Sequence, residues 1–372
     1  MFFDRFREAL SRLPDGLVRT GPPATGEALA AAESALGPLP PILRSFLQSF
    51  DGADLFHETV VIAGVGPGAP RSLTELNPQP GPELVFAEAP GADRFALRAD
   101  GAVLRLKAGD EDGERERWLA GSGFERWLEA LVAHERVLYG PDGEFSPDAF
   151  EADGAEILPL AALRQAERAL KLDPDAAELH HERGVALRRL GRQDESRQAF
   201  ARAAALDPEN PWTWFDLGRA ALADGVSAGG EALEAFERAA RLERGGAEHG
   251  PERARFWVWA ARAAQLLAAP ERQATCRREA LALVPDLPAA LRRARDASLA
   301  EDDPEALAEA EALLAALEAP ITGARKRLPV LGEAPPPPAA PSPAPPPGPR
   351  PDRTPRPRVA ARTSLRRPKR RR

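Results

Sequence analysis

The chain of 372 residues is poor in cysteine, lysine, methionine and tyrosine. Its one cysteine, Cys276, excludes an intrachain disulfide and fits a reducing compartment, so we expect a cytoplasmic protein. No apolar run approaches the roughly 20 residues that a membrane-spanning helix needs. The N-terminal segment carries charges throughout, and Phe3, Phe6 and Leu10 share one helical face, so it predicts an amphipathic helix and not a signal peptide.

The sequence also lacks the common signatures of catalysis and metal binding. It contains no HExxH, no P-loop and no GxSxG motif. His180 and His181 are adjacent, so on a helix they point about 100° apart and cannot chelate one ion together. The segment 63–70 holds a GxGxG pattern, but Pro67 and Pro70 exclude the helix that phosphate binding requires after it. We therefore expect no enzyme activity, no cofactor and no metal site.

Charge is distributed unevenly along the chain. The formal net charge is −7, yet residues 348–372 hold eleven basic residues and one acid, which leaves −17 for residues 1–347. Proline dominates residues 335–351. Such a composition favours an extended spacer and cannot build a core, so residues 321–372 are predicted to form a disordered Pro/Arg-rich tail. The tail could contact nucleic acid or an anionic membrane surface, or it could serve as a solubilising segment that rests on the acidic body.

Residues 1–140 mix helix and strand patterns. A helical pattern over 26–37 stops at a glycine and three prolines, and a second helix follows to Asp51-Gly52. Residues 59–65 and 84–88 are candidate strands, and 93–107 alternate around an Asp100-Gly101 turn as a hairpin does. A final helix carries an apolar stripe from Phe124 to Leu138. The region is predicted to be an α+β domain with an antiparallel sheet and packed helices.

This order of elements resembles the SUKH superfamily. The residues that carry the resemblance are Glu33, Leu36, Gly37, Leu39, Pro40, Phe46, Leu47 and the pair Asp51-Gly52, in which Asp replaces the usual Asn. The resemblance implies a non-enzymatic protein-binding fold. It also implies a role as an immunity protein that binds a toxin, since bacterial members of the superfamily commonly have that role.

Residues 155–320 show only helical periods, and Ala177–Asn210 is a unit of 34 residues that is then repeated. In this unit Gly184, Ser196, Phe200, Ala203 and Pro208 stand where the tetratricopeptide repeat places small, large and closing residues. The segment resembles that family, and the resemblance implies stacked helical hairpins that form an all-α solenoid with a concave face. The pattern weakens in the outer units, where a third unit is expected near Ala254 and a last hairpin up to residue 320.

The groove-facing positions of the matched repeats define the candidate partner-binding residues. They are Glu178, His181, Arg188, Trp212, Phe215, Arg219, Arg255 and Arg262. Aromatic residues beside arginines are typical of interface hot spots. The alternative is that Trp212 and Phe215 pack against the neighbouring unit or the first domain. Position 185 holds valine and position 181 histidine, so we do not expect the clamp that some relatives use to bind chaperone tails.

Together these patterns predict a non-enzymatic adaptor with a protein or peptide partner. One partner, which the SUKH resemblance implies to be a toxin, would bind the first domain, and a second would bind the repeats. The alternative is a scaffold that its polybasic tail recruits to nucleic acid or to an anionic membrane surface.

Overall fold

The structure is a computed structural model that describes residues 2–79, 81–108, 116–151, 154, 156–223, 225–242, 250–301 and 303–321. The predicted tail lies outside the described residues, apart from Ile321 at its start. Residues 1–324 form one compact unit. This unit consists of an N-terminal antiparallel sheet with packed helices, followed by a helical solenoid, so the predicted order of fold classes is confirmed.

The N-terminal sheet has seven strands that pair antiparallel in chain order. They are β1 (Val18–Thr20), β2 (Ala53–Leu55), β3 (Val60–Ile62), β4 (Leu84–Glu88), β5 (Arg94–Leu97), β6 (Val103–Lys107) and β7 (Glu116–Gly121). The β5–β6 hairpin turns at Asp100-Gly101 as predicted, with Leu97 opposite Val103. The sequence analysis missed β1, β2 and β7. Strands β1 and β2 have three residues each and lack a β-branched run like that of β3, and in β7 the apolar residues Trp118, Leu119 and Ala120 are consecutive and do not alternate with polar ones.

Within the described residues, five α-helices accompany the sheet: α1 (Phe2–Leu10), α2 (Gly26–Leu36), α3 (Pro41–Leu47), α4 (Leu73–Leu76) and α5 (Phe124–Glu135). Their apolar faces meet the sheet in an aromatic core. The Trp127 ring of α5 lies 5.1 Å from both Phe86 and Phe95. A Cβ atom at Gly121 would stand 2.6 Å from the Trp127 Cβ, so this glycine lets α5 approach β7 closely.

The solenoid contains α6 (Pro159–Leu170), α7 (Ala177–Arg189), α8 (Gln193–Leu206), α9 (Pro211–Ala223), α10 (Gly229–Arg241), α11 (Gly250–Leu266), α12 (Pro270–Leu283), α13 (Leu287–Ala300) and α14 (Pro304–Glu318). Within each matched hairpin a glycine receives an aromatic ring. A Cβ atom would lie 2.7 Å from Phe200 at Gly184, and 2.7 Å from Phe236 at Gly218. The small-to-large pattern seen in the sequence is therefore a packing requirement.

The last hairpin returns towards the solenoid. Helix α14 begins at Pro304, and the Asp303 carboxylate accepts a hydrogen bond from the Ala306 N–H at 2.9 Å, as expected of a helix cap. Leu313 and Leu317 of α14 are buried with the aromatic residues of α11. Arg277 of α12 donates a hydrogen bond to the Ala316 carbonyl, which holds the C-terminal half of α14 in place.

The solenoid also covers the free edge of the sheet. The Asp173 carboxylate accepts hydrogen bonds from the Ser122 N–H at 2.8 Å and from the Ser122 hydroxyl at 2.7 Å, just after β7. The Asp207 carboxylate accepts one from the Leu119 N–H at 3.2 Å, and the Asn210 amide donates to the Arg117 carbonyl. Because unpaired strand edges invite aggregation, these side chains protect β7 while they join the two parts of the unit.

Candidate partner-binding surface

The eight predicted residues lie along the first helices of successive hairpins, and the structure divides them into three groups. Glu178 and His181 of α7 contact the N-terminal sheet. Trp212 and Phe215 of α9 pack against the next hairpin. The four arginines, which we refer to as the arginine strip, are Arg188, Arg219, Arg255 and Arg262.

Glu178 is buried beneath β6 and does not face open solvent. Its Oε1 atom lies 3.2 Å from the Arg105 Nη1 and 3.4 Å from the Lys107 Nζ. Arg105 also pairs with Asp93 at 2.8 Å. The Lys107 ammonium stands 4.1 Å from the centre of the Trp118 ring. The N-terminal sheet therefore occupies the first part of the predicted concave face.

A buried histidine strengthens the same interface. The His134 ring of α5 lies 2.8 Å from Glu135 and 3.2 Å from Glu182 of α7. Burial by itself lowers the pKa of His134, but hydrogen bonds to these two carboxylates outweigh it and raise the pKa to about 10. The ring is thus cationic at neutral pH and links the sheet region to the solenoid.

His181 lies where the covered part of the face ends. Its Nε2 atom is 2.8 Å from the Asp216 Oδ2, and its ring centre is 4.6 Å from that of Trp118. The other Asp216 oxygen accepts a hydrogen bond from Arg188 at 2.8 Å. Burial raises the pKa of Asp216, but the pairing with His181 and Arg188 prevails and lowers it to about 2. Asp216 is therefore a permanent anion that neutralises the first arginine of the strip.

Trp212 and Phe215 pack against the neighbouring hairpin, which is the alternative given in the sequence analysis. The Trp212 ring meets Phe256 of α11 edge-on at 5.1 Å, and the Phe215 ring lies 4.9 Å from Phe256. Phe215 is only 3% exposed, whereas Trp212 is half-buried. These aromatic rings therefore support the arginine strip from below, and only Trp212 offers surface to a partner.

Two of the remaining arginines share one carboxylate. Glu309 of α14 lies 3.4 Å from the Arg219 Nη2 and 2.8 Å from the Arg255 Nη2. Both guanidinium groups also lie over the Phe215 ring, at 5.9 and 5.8 Å from its centre. The Arg255 side chain is 47% exposed, which makes it the most accessible of the three ion-paired arginines of the strip. This part of the concave face therefore presents partly exposed arginines that pair with α14.

Sequence reasoning missed the acidic partners of the strip. Asp216 and Glu309 carry no motif, and Glu309 is 90 residues from Arg219 along the chain. A signal did exist for the sheet contacts, since Asp173 and Asp207 occupy equivalent positions 34 residues apart in the repeat. Equivalent positions in stacked hairpins point in the same direction, so one shared target for both carboxylates could have been predicted.

The glycine-rich loop at residues 63–70 is filled from within. The Asp51 carboxylate accepts hydrogen bonds from the Val65 N–H at 2.6 Å and from the Gly66 N–H at 2.8 Å. A Cβ atom at Gly66 would stand 2.3 Å from this carboxylate. The loop is therefore occupied by the side chain of Asp51, a residue of the protein itself.

An open groove of about 780 Å³ lies on the N-terminal part, lined by the α2–α3 connection, the segment before β4 and the β5–β6 turn. Among the described residues, no group of His, Cys, Asp and Glu side chains has the arrangement of a metal site. None of the helices in the described ranges is long and apolar enough to cross a membrane.

Comparison with known proteins supports the assignment of the repeats. Residues 177–210 match the family model described as tetratricopeptide repeat, so the predicted repeat is confirmed over these 34 residues. The match covers α7 and α8, which carry Glu178, His181 and Arg188. No curated protein matches the chain.

Each of the three solved structures described next resembles less than half of this chain. MamA from Desulfovibrio magneticus RS-1 is 20% identical over 43% of this chain and 85% of its own, with a TM-score of 0.30. Pseudomonas aeruginosa pilF is 18% identical over 41% of this chain and 66% of its own, with a TM-score of 0.29. YrrB, described as a TPR protein with an unusual peptide-binding site, is 21% identical over 43% of this chain and 78% of its own, with a TM-score of 0.27.

Proposed function

We propose that this chain is a non-enzymatic adaptor that binds a segment of a partner protein across the open middle of its concave face. The observation that carries the proposal is the arginine strip, in which Arg219 and Arg255 stand partly exposed on a floor of buried aromatic rings. Arginine beside aromatic side chains is the composition typical of binding hot spots. Guanidinium groups keep their proton at neutral pH, so the strip suits recognition better than proton transfer.

The uncovered length of the concave face limits the size of the partner segment that can bind there. The sheet covers the face at Glu178, and α14 borders it at Glu309. Arg188, near one limit, donates to Asp216, and Arg255, near the other, pairs with Glu309. A partner has to fit between these limits, so a short extended or helical segment fits better than a folded domain.

Site-directed photo-crosslinking tests the proposal. A photoreactive phenylalanine replaces Leu222, which lies three residues after Arg219 and therefore on the same face of α9. The matched control replaces Arg278 of α12, whose side chain is 69% exposed. We expect one protein from the native host to be crosslinked at position 222 and not at 278. Crosslinking of the same proteins at both positions, or at neither, contradicts the proposal.

We further propose that the N-terminal part is a SUKH-like domain that binds a second protein, and that this protein is a toxin which the chain neutralises. The sheet with its packed helices and the quoted residues support the first step, and the acidic charge of residues 1–347 suits a basic toxin. The proposal requires a toxin gene beside the gene for this chain, and the test is expression of the full chain in cells that produce that toxin. Restored growth is expected, whereas equal growth inhibition with and without the chain contradicts the proposal.

The alternative proposal assigns recruitment to the polybasic tail, with its eleven basic residues. Deletion of residues 350–372 is then expected to abolish binding to DNA or anionic vesicles, and binding by the full chain is expected to fall steeply with salt. Binding that is unchanged by the deletion contradicts this alternative. We place either function in the cytoplasm, because the chain has a single cysteine and no disulfide.

A further inference from the structure

Basic charge exceeds acidic charge at one point of the concave face. Arg219, Arg255 and Arg262 gather around the single carboxylate of Glu309, which makes one contact with each of the first two. A guanidinium group has five N–H donors, and a carboxylate has room for about four hydrogen bonds. Among the described residues, this cluster therefore has more donors than Glu309 can satisfy.

Two buried donors in the same region have no acceptor in the described part of the chain. They are the Nε of Arg262 and the indole Nε1 of Trp259. Trp259 is only 8% exposed, and its ring centre lies 5.4 Å from the Arg219 guanidinium. A buried donor without a partner costs about 1–3 kcal/mol, so such groups call for an explanation. Burial also lowers the pKa of Arg262, and Glu309 only partly offsets this effect.

We infer that the cluster of Arg219, Arg255 and Arg262 is a carboxylate-binding site that takes an acidic segment of the partner protein, and that Glu309 occupies part of this site as an internal ligand. The inference rests on the proposed function and names the chemistry of its ligand. The choice of a carboxylate follows from the structure, because the chain's own occupant is a glutamate. Asp216 does not compete, since His181 and Arg188 occupy it.

Because Glu309 occupies the site, substitutions can either weaken or strengthen the binding of an external carboxylate. Loss of the arginines weakens the site, whereas loss of the Glu309 charge frees two guanidinium groups for an external carboxylate. A purely structural role for the cluster predicts the opposite result for Glu309, because any disturbance of α14 would then reduce binding.

The probe is a hexaglutamate peptide that carries a diazirine, photolysed with the full-length chain, and the labelled positions are read by mass spectrometry. Because the basic tail also attracts this probe, only labelling within α9 and α11 is scored. Hexaglutamine serves as the neutral probe. The double variant Arg255→Gln/Arg262→Gln is compared with Arg366→Gln/Arg367→Gln, which removes the same charge from the tail. Glu309→Gln is compared with Glu318→Gln, which lies on the same helix and pairs with exposed Arg292.

We expect hexaglutamate, and not hexaglutamine, to label α9 and α11. Charged hydrogen bonds contribute enough that the Arg255→Gln/Arg262→Gln variant should lose about tenfold in labelling, while the tail variant keeps it. Glu309→Gln should label several times more strongly than Glu318→Gln. If the double variant fails to fold, the single variant Arg255→Gln takes its place in the comparison, because Arg255 is half-exposed and its replacement should not disturb the fold.

Labelling confined to the tail overturns the inference, as does labelling of α9 and α11 that the arginine substitutions leave unchanged. Loss of labelling in Glu309→Gln also overturns it. These failures are distinguishable from failure of the proposed function. A partner crosslinked at position 222 that is retained by Arg255→Gln/Arg262→Gln preserves the adaptor and removes only its preference for acidic ligands.

Discussion

Replacement of Asp173 by alanine should destabilise the whole compact unit, because this carboxylate joins the solenoid to the sheet. Asp173 is fully buried and accepts hydrogen bonds from the N–H and the hydroxyl of Ser122, at 2.8 and 2.7 Å. Alanine leaves both donors without an acceptor. A buried donor left unsatisfied costs about 1–3 kcal/mol. The serine hydroxyl can rotate to another acceptor but the N–H cannot, so we expect a loss of about 1–3 kcal/mol.

The assay is urea unfolding of the full chain followed by tryptophan fluorescence, with tryptophans in both parts as reporters. Asp175→Ala is the matched control, since Asp175 lies two residues away and makes only partly exposed ion pairs with Arg202 and Arg126. Such pairs contribute about 0–1 kcal/mol, so the control should remain close to the wild type. A loss in Asp173→Ala no larger than that in Asp175→Ala refutes the argument that this carboxylate joins the two parts.

Three further predictions concern packing, pH and thiol chemistry. Gly218→Ala should cost about 1–3 kcal/mol in urea unfolding, because its Cβ would stand 2.7 Å from Phe236; an unchanged midpoint contradicts this. His134 has a pKa raised from 6.5 to about 10, so its ion pairs stabilise the fold fully below pH 6.5 and this contribution is lost as pH rises towards 10. The wild type should therefore lose stability over this range relative to His134→Gln, and parallel pH profiles refute the assignment. Burial raises the pKa of Cys276 to about 12, so a thiol reagent should modify it only after unfolding, and rapid reaction of the folded chain contradicts its burial.

The elements that could be predicted from the sequence are those with local signals. Helices α7 to α10 follow from a repeated order of small and large residues, and the β5–β6 hairpin follows from alternation around Asp100-Gly101. Strand β7 has no comparable signal, because it depends on pairing with β6 and on side chains from two distant loops.

The state of the candidate site depends on contacts between residues far apart in the chain. The repeat pattern places Glu178 and Arg219 on the first helices of their hairpins. It cannot show that Arg105 reaches Glu178 over 73 residues, or that Glu309 reaches Arg219 over 90. Each of these contacts depends on how whole elements pack, and a single sequence contains no periodic signal for that packing.

Amide hydrogen exchange of the full chain, with and without the crosslinked partner, tests most directly the claim that the concave face is the binding surface. We predict that the partner slows exchange in α9 and α11, around Arg219 and Arg255, and leaves α10 and α12 unchanged. Slower exchange confined to the N-terminal sheet, or to the second helices of the hairpins, would contradict it.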